Sequence, residues 1–160
     1  MNRPPRFIAD EMNGDVARWL RIMGFDCIYI TGIDMDRILL KTALETQRIL
    51  LTGDRELYRK VIRKGGEAIY TRGSTLEEKF RSIVEKVNLN EWIGKIPYRC
   101  SICNGELIRK KSKDLDITPK YIKERFDYVW YCPKCNKVYW EGSHWEKIKK
   151  RIENIMRLGK

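Results

Sequence analysis

Four short apolar runs, each followed by a stripe of apolar side chains at helical spacing, dictate what the front of this chain can fold into. The runs are Phe7-Ile8-Ala9, Cys27-Ile28-Tyr29-Ile30, Ile49-Leu50-Leu51-Thr52 and Ala68-Ile69-Tyr70. Each reads as a short strand buried on both faces. The stripes are Val16, Trp19, Leu20 and Met23, then Ile38, Leu39, Ala43 and Leu44, then Leu57, Tyr58, Val61 and Ile62, and last Leu76, Phe80, Ile83 and Val84. A helix between consecutive strands is long enough to cross over and bring the next strand in parallel, so the pattern predicts a three-layer α/β core over residues 1–96. Asp34 is expected to cap the second helix, Gly65-Gly66 to stop the third, and Ser74 to cap the fourth with Glu77 completing a capping box.

Beyond Asn90 to Pro97, read as a junction, the periodicity changes. Cys100-Ser-Ile-Cys103 and Cys132-Pro-Lys-Cys135 stand 28 residues apart, separated by aromatic and β-branched runs. Each pair can present two sulfurs to one tetrahedral ion, and four thiolates favour zinc. Asn104-Gly105 and Asn136-Lys137 supply the tight turn that each knuckle needs. A closed site of four cysteines leaves no open position, so this Zn2+ is expected to be structural. The expectation is a zinc ribbon with a long internal hairpin over residues 97–142. A last helix over 143–160, carrying Trp145, Ile148, Ile152, Ile155 and Met156, is expected to return to the core. Cys27, alone in an apolar run, reads as a core residue.

The 160 residues carry 33 Lys and Arg against 22 Asp and Glu, a net charge of +11, which favours a polyanionic partner such as nucleic acid. The excess is uneven. Residues 1–96 hold 17 basic and 14 acidic side chains, whereas residues 97–160 hold 16 and 8. No apolar run approaches the roughly 18 residues of a membrane span, and paired metal-ligating cysteines suit a reducing compartment. The chain is therefore expected to be soluble, unexported and cytoplasmic. No P-loop or dinucleotide glycine fingerprint is present.

Acids recur where a parallel sheet would gather them. Asp10 follows the first strand, Asp34 and Asp36 open the helix after the second, and Asp54 follows the third. Each alone could be a helix cap or turn residue. Together, crowded at the carboxyl ends of adjacent strands, they repel one another unless a hard divalent cation such as Mg2+ or Mn2+ sits among them. Such an ion suits phosphodiester hydrolysis, because it acidifies a water and neutralises the leaving oxygen. Glu11, Asp15 and Glu56 are weaker candidates.

The strings Ala9-Asp10-Glu11-Met12, Ala17-Arg18-Trp19-Leu20-Arg21, Gly24-Phe25-Asp26, Ile49-Leu50-Leu51-Thr52-Gly53-Asp54-Arg55, the cysteine knuckles and Tyr139-Trp140-Glu141-Gly142-Ser143-His144-Trp145 resemble, in order, the Mut-seven C-terminal RNase domain family. The resemblance spans nearly the whole chain and implies a PIN-like nuclease core joined to a zinc ribbon. It matches Asp10, Asp36 and Asp54 to the metal-binding, catalytic acids, with Asp36 preferred over Asp34 because Asp36-Arg37-Ile38-Leu39 matches the acid-leading helix. Asn13 and Asp15 depart from the leucine and basic residue expected there, and no fourth acid is evident.

Arg18 and Arg21 share one face of the first helix, where they could grip phosphate or pair with the acids. Lys110 and Lys111, within Arg109-Lys110-Lys111-Ser112-Lys113, could track a nucleic-acid backbone. His144 is the only histidine, and its place in the family's terminal motif suggests a contact with RNA. Of the dense aromatic residues in the ribbon, one or two could stack on unpaired bases. Together these features predict a metal-dependent ribonuclease acting on single-stranded RNA. The rival is a non-catalytic RNA-binding adaptor working through the basic ribbon; a phosphomonoesterase is a third and weaker reading.

Overall fold

Strands β1 (Phe7–Ala9), β2 (Cys27–Tyr29), β3 (Ile49–Thr52) and β4 (Ala68–Tyr70) form one sheet in the order β2-β1-β3-β4, every neighbour parallel. The computed structural model describes residues 2–159. The crossovers are α1 (Gly14–Ile22), α2 (Asp36–Thr46) and α3 (Arg55–Arg63), with α4 (Leu76–Val84) after the last strand. Alternate residues of the short strands feed opposite faces, which is why both parities are apolar. Phe7, Ala9, Leu51 and Ile69 meet α1 and α4, while Ile8 and Leu50 meet Leu39 and Ala43 of α2 and Leu57 and Val61 of α3. This is the expected three-layer α/β core. Phe7, Phe25, Phe80 and Leu20 are fully buried, each contributing on the order of 1.5–3 kcal/mol by leaving water.

The second sheet is an antiparallel ribbon of β5 (Ile108–Lys111), β6 (Tyr128–Tyr131) and β7 (Val138–Tyr139). The long connection expected between the knuckles holds a short helix, α5 (Lys120–Arg125), whose Ile122 is buried. Helix α6 (Ser143–Arg157) returns to the core: Ile155 and Met156 lie in the same cluster as Phe80 and Ile83. Trp92, Ile93 and Ile96, in the junction, pack against that cluster too. Gly24 permits the approach. It sits at φ +102°, and a Cβ there would lie 2.7 Å from the Pro97 carbonyl oxygen.

Two caps differ from expectation. Helix α4 is capped by Thr75 rather than Ser74, and Glu78 rather than Glu77 closes the capping box; the same chemistry is satisfied one residue later. Asp34 does not cap α2. It adopts φ +55°, and Met35 holds the N-cap position with no side-chain hydrogen bond. Asn and Asp tolerate the left-handed region better than most residues, so Asp34 serves the turn and leaves the helix to Asp36.

Candidate active site and metal centre

At the carboxyl ends of β1 and β3 the chain opens a cleft of about 640 Å3 lined by Asp10, Asp34, Asp36 and Asp54. Parallel pairing puts it there: Ala9 is in register with Leu51, so the next residues of both strands leave the sheet side by side. Asp10 is buried, 7% exposed, and anchored through both oxygens. Oδ1 accepts from the Met12 amide at 3.1 Å and from Asn13 Nδ2 at 2.8 Å. Oδ2 accepts from the Thr52 hydroxyl at 2.7 Å and the Gly53 amide at 3.0 Å. The same Thr52 hydroxyl accepts from the Asp54 amide at 3.0 Å, so one threonine ties two of the acids together.

Asp54 is the N-cap of α3, its Oδ1 accepting from the amides of Glu56 and Leu57. Asp36 begins α2 and is exposed. Among the described residues, neither Asp36 nor Asp54 Oδ2 has a protein donor or an ion pair. The cleft is thus lined by hard oxygen donors: Asp10 is held through both oxygens and Asp54 through Oδ1, whereas Asp36 is unrestrained, and among the described residues these carboxylates do not draw together within 4.8 Å as a three-ligand cluster. An ion touching Asp10 shares an oxygen with a protein donor. Leu39, Leu40, Leu57 and Ile30 floor the cleft, and Arg37 and Lys60 stand beside the acids.

Thr52, Asn13, Arg37 and Lys60 are site residues that sequence reasoning missed. Thr52 had a signal, its place beside Gly53-Asp54; the cations had none, because only the turn of each helix aims them at the cleft. Glu11 lines the cleft. Asp15 does not: it pairs with Lys79 at 3.1 Å, and the same ammonium donates to the Met12 carbonyl, bracing the turn that holds Asp10.

The four predicted cysteines converge. Their sulfurs all lie within 4.8 Å of one another, the only such potential metal cluster among the described residues. Cys100 and Cys135 Sγ are 3.6 Å apart, and Cys103 and Cys132 Sγ 3.4 Å. A tetrahedral site with Zn–S bonds of about 2.3 Å needs sulfurs roughly 3.8 Å apart, so the cluster can hold a metal such as zinc. Asn104 and Asn136 adopt φ +70° and +64°, as the knuckle turns require. Burial raises the Cys135 thiol and hydrogen-bonding sulfurs add to it, pushing it up to about 12. Burial also acts on Cys100, but hydrogen bonds from Tyr139 and the backbone amides outweigh it and draw it down to about 7. A bound dication removes that disparity by favouring thiolates throughout.

Residues 5–152 match the family model of the Mut7-C RNAse domain. The chain belongs to this family. No curated protein and no solved structure matches it. The Mut7-C match covers the α/β core, both cysteine knuckles and most of α6, so core and ribbon fall within one family unit rather than two unrelated modules.

Within this Mut7-C chain, the cations singled out in the sequence separate. Arg21 is buried and spends its donors on carbonyls: Nε on Cys27 at 2.8 Å, and Nη1 on Ser101 and Ile102 at 3.2 Å each. It therefore clamps the first knuckle to β2 and is not turned toward phosphate or the acids. Asn104 completes the clamp, accepting from the Cys27 amide at 3.0 Å and donating to Asp26 at 2.7 Å. Asp26 in turn chelates Arg48. Burial raises the Asp26 carboxyl, but hydrogen bonds from Arg48 and Asn104, with the charges of Arg48 and Arg99, outweigh it and hold it below its ordinary value. Cys27 itself is buried, its thiol pushed up to about 12 by burial, as a core residue's should be.

Arg18 and His144 come together on an aromatic groove of about 400 Å3 between α1, the ribbon and α6. Neither lines the acidic cleft. Most aromatics of the ribbon serve packing: Tyr98 stacks edgewise on Trp130 at 5.0 Å and on Trp145 at 5.4 Å. Lys110 and Lys111 are exposed on β5. No helix of the described residues is long and apolar enough to cross a membrane.

Proposed function

We propose that this chain is a metal-dependent ribonuclease that hydrolyses phosphodiester bonds of single-stranded RNA in the cytoplasm, with Asp10, Asp36 and Asp54 as the residues that hold Mg2+ or Mn2+. The observation that carries the reading is the convergence of three aspartates, from three separate elements, on one cleft of a chain in a ribonuclease-domain family. Asp10 is the fixed reference point, oriented by four donors; among the described residues, Asp36 and the Oδ2 of Asp54 have no protein donor to displace. When bound, the ion supplies a water of lowered pKa and charge neutralisation on the phosphorane oxygens. Arg37 and Lys60, which line the same cleft, bring positive charge to the phosphate from its walls. Zinc in the four-cysteine cluster holds the ribbon in shape, and its knuckle is riveted to the core by Arg21 and Asn104.

The test is cleavage of an end-labelled single-stranded RNA by the wild type and by Asp54→Asn, with and without Mn2+. Asn is as good an N-cap as Asp, so α3 survives the change while the anionic ligand is lost. Wild-type cleavage that needs Mn2+ and disappears in the variant supports the assignment; a variant as active as the wild type ends it. The adaptor reading draws on one observation, the full use of the Asp10 oxygens by protein donors, and predicts binding without cleavage at every metal concentration.

A further inference from the structure

Helix α3 has two flanks. Leu57 and Lys60 face the acidic cleft, whereas Arg55, Tyr58 and Arg59, spaced one helical turn apart, line a second groove of about 440 Å3. Its far wall is the edge strand β4 with the segment after it: Tyr70, Arg72 and, just past the C-terminus of α4, Lys86. None of these four cations takes part in an ion pair among the described residues. Glu85, the acid of this groove, forms no ion pair with any of them, and four cations against one acid leave the groove net positive. Four unpaired cations around one depression repel one another and are stabilised by an incoming polyanion. Between them are two tyrosines, Tyr58 and Tyr70, with ring centroids 6.5 Å apart, and the Arg55 guanidinium lies 5.3 Å from the Tyr70 ring centre. Basic side chains interleaved with aromatic faces are what an unpaired polynucleotide binds.

The groove is one strand away from the acids. Tyr70 is in register with Thr52, the residue whose hydroxyl bridges Asp10 and Asp54, and neighbouring strands lie only about 4.8 Å apart. A chain leaving the cleft over the N-terminus of α3 thus meets Arg55 first and then the groove.

We propose that the groove between α3 and β4 is the track for the single-stranded RNA flanking the scissile bond, with Arg55, Arg59 and Arg72 engaging phosphates and Tyr70 stacking on a base. This rests on the ribonuclease reading above and gives it a direction: the substrate is held by the α/β core and not by the ribbon lysines alone. The experiment measures binding of a 5′-labelled 12-nucleotide oligouridylate to the full, zinc-loaded chain by fluorescence anisotropy, across a salt series without added Mg2+ or Mn2+. Each lost phosphate contact flattens the dependence of log affinity on log salt by about 0.7 for a single strand. Arg59→Ala/Arg72→Ala should therefore flatten it by about 1.4 and weaken binding roughly tenfold or more, with Arg59→Lys/Arg72→Lys restoring the wild-type slope. Tyr70→Leu should weaken binding roughly fivefold with the slope unchanged, since stacking carries no counterion term. Thermal melts and zinc content verify folding, and the single variants Arg59→Ala and Arg72→Ala each carry half the effect if the pair is unstable. A wild-type slope in the double alanine variant, or failure of the wild type to bind the oligonucleotide at low salt, overturns the proposal. If the groove variants behave as expected while the wild type cleaves nothing with either metal, the track stands and the nuclease assignment falls.

Discussion

The core and the ribbon each gather four chemically similar side chains from distant points of the chain, and they do so by opposite means. In the ribbon, two cysteines of each pair are neighbours in sequence, turned together by Asn104 and Asn136 in left-handed backbone, so local geometry builds half of the site and one hairpin completes it. In the core, Asp10, Asp34, Asp36 and Asp54 are brought to one cleft only by the parallel sheet and its crossovers. The ribbon's buried apolar interior is small, Leu107, Ile122 and Val129 beside its cysteines, so a metal held by the four sulfurs would carry much of its stability. The core has two clusters of buried aliphatic and aromatic side chains and can tolerate repelling acids at one edge. One cluster is half built by local sequence; the other is built wholly by the fold.

The contrast can be broken most forcefully at the four-cysteine cluster. Structural zinc contributes on the order of 10–16 kcal/mol of binding free energy in small metal domains, so Cys132→Ser should empty the site and unfold residues 97–142 while the four-stranded sheet persists. Zinc content together with amide exchange checks this: fast exchange confined to the ribbon is the expected outcome, and global unfolding would show that the core depends on the metal as well. Next in size is the catalytic loss. Asp36→Asn or Asp54→Asn should slow cleavage by at least about a hundredfold, the equivalent of roughly 3 kcal/mol of lost transition-state stabilisation, with little change in melting temperature. Asp10→Asn should behave differently, losing stability along with activity, because an amide NH2 would face two of the four donors that now meet a carboxylate.

A smaller effect probes the seam between the two regions. Arg21→Ala leaves the carbonyls of Cys27, Ser101 and Ile102 without their donor, at a cost of about 1–3 kcal/mol; a melting curve that separates into two transitions would show that Arg21 couples ribbon to core. The smallest is a pH effect at the same seam. Asp26 titrates lower in the folded chain than in the unfolded one, so its contribution is complete above the ordinary carboxylate value of 3.8 and fades as pH falls from there through the lowered value. Stability measured from about pH 5 down to about pH 2 should fall less steeply in Asp26→Asn than in the wild type.

The strands were legible because a buried parallel strand must be apolar on both faces, and β1, β3 and β4 fall where the runs of sequence put them. The four-cysteine cluster was legible because a Cys-x-x-Cys carries its own geometry. Helix ends were legible in kind but shifted by a residue, as at Thr75, because Ser74 and Thr75 offer the same hydroxyl and only the path of the chain chooses between them.

Arg21 marks where reading along the chain reached its limit. Its spacing from Arg18 is that of a shared helical face, yet one arginine is exposed and the other buried against a knuckle 80 residues away. Chain periodicity alone determined the layers, the parallel order of crossovers and the presence of a four-sulfur site, since those arise from local propensity and from covalent spacing. Which cations face the acids, which arginine joins ribbon to core and which flank of α3 carries unpaired charge were decided by tertiary structure, because long side chains take their partners from whatever the fold places within their reach, and those partners lie far off in sequence.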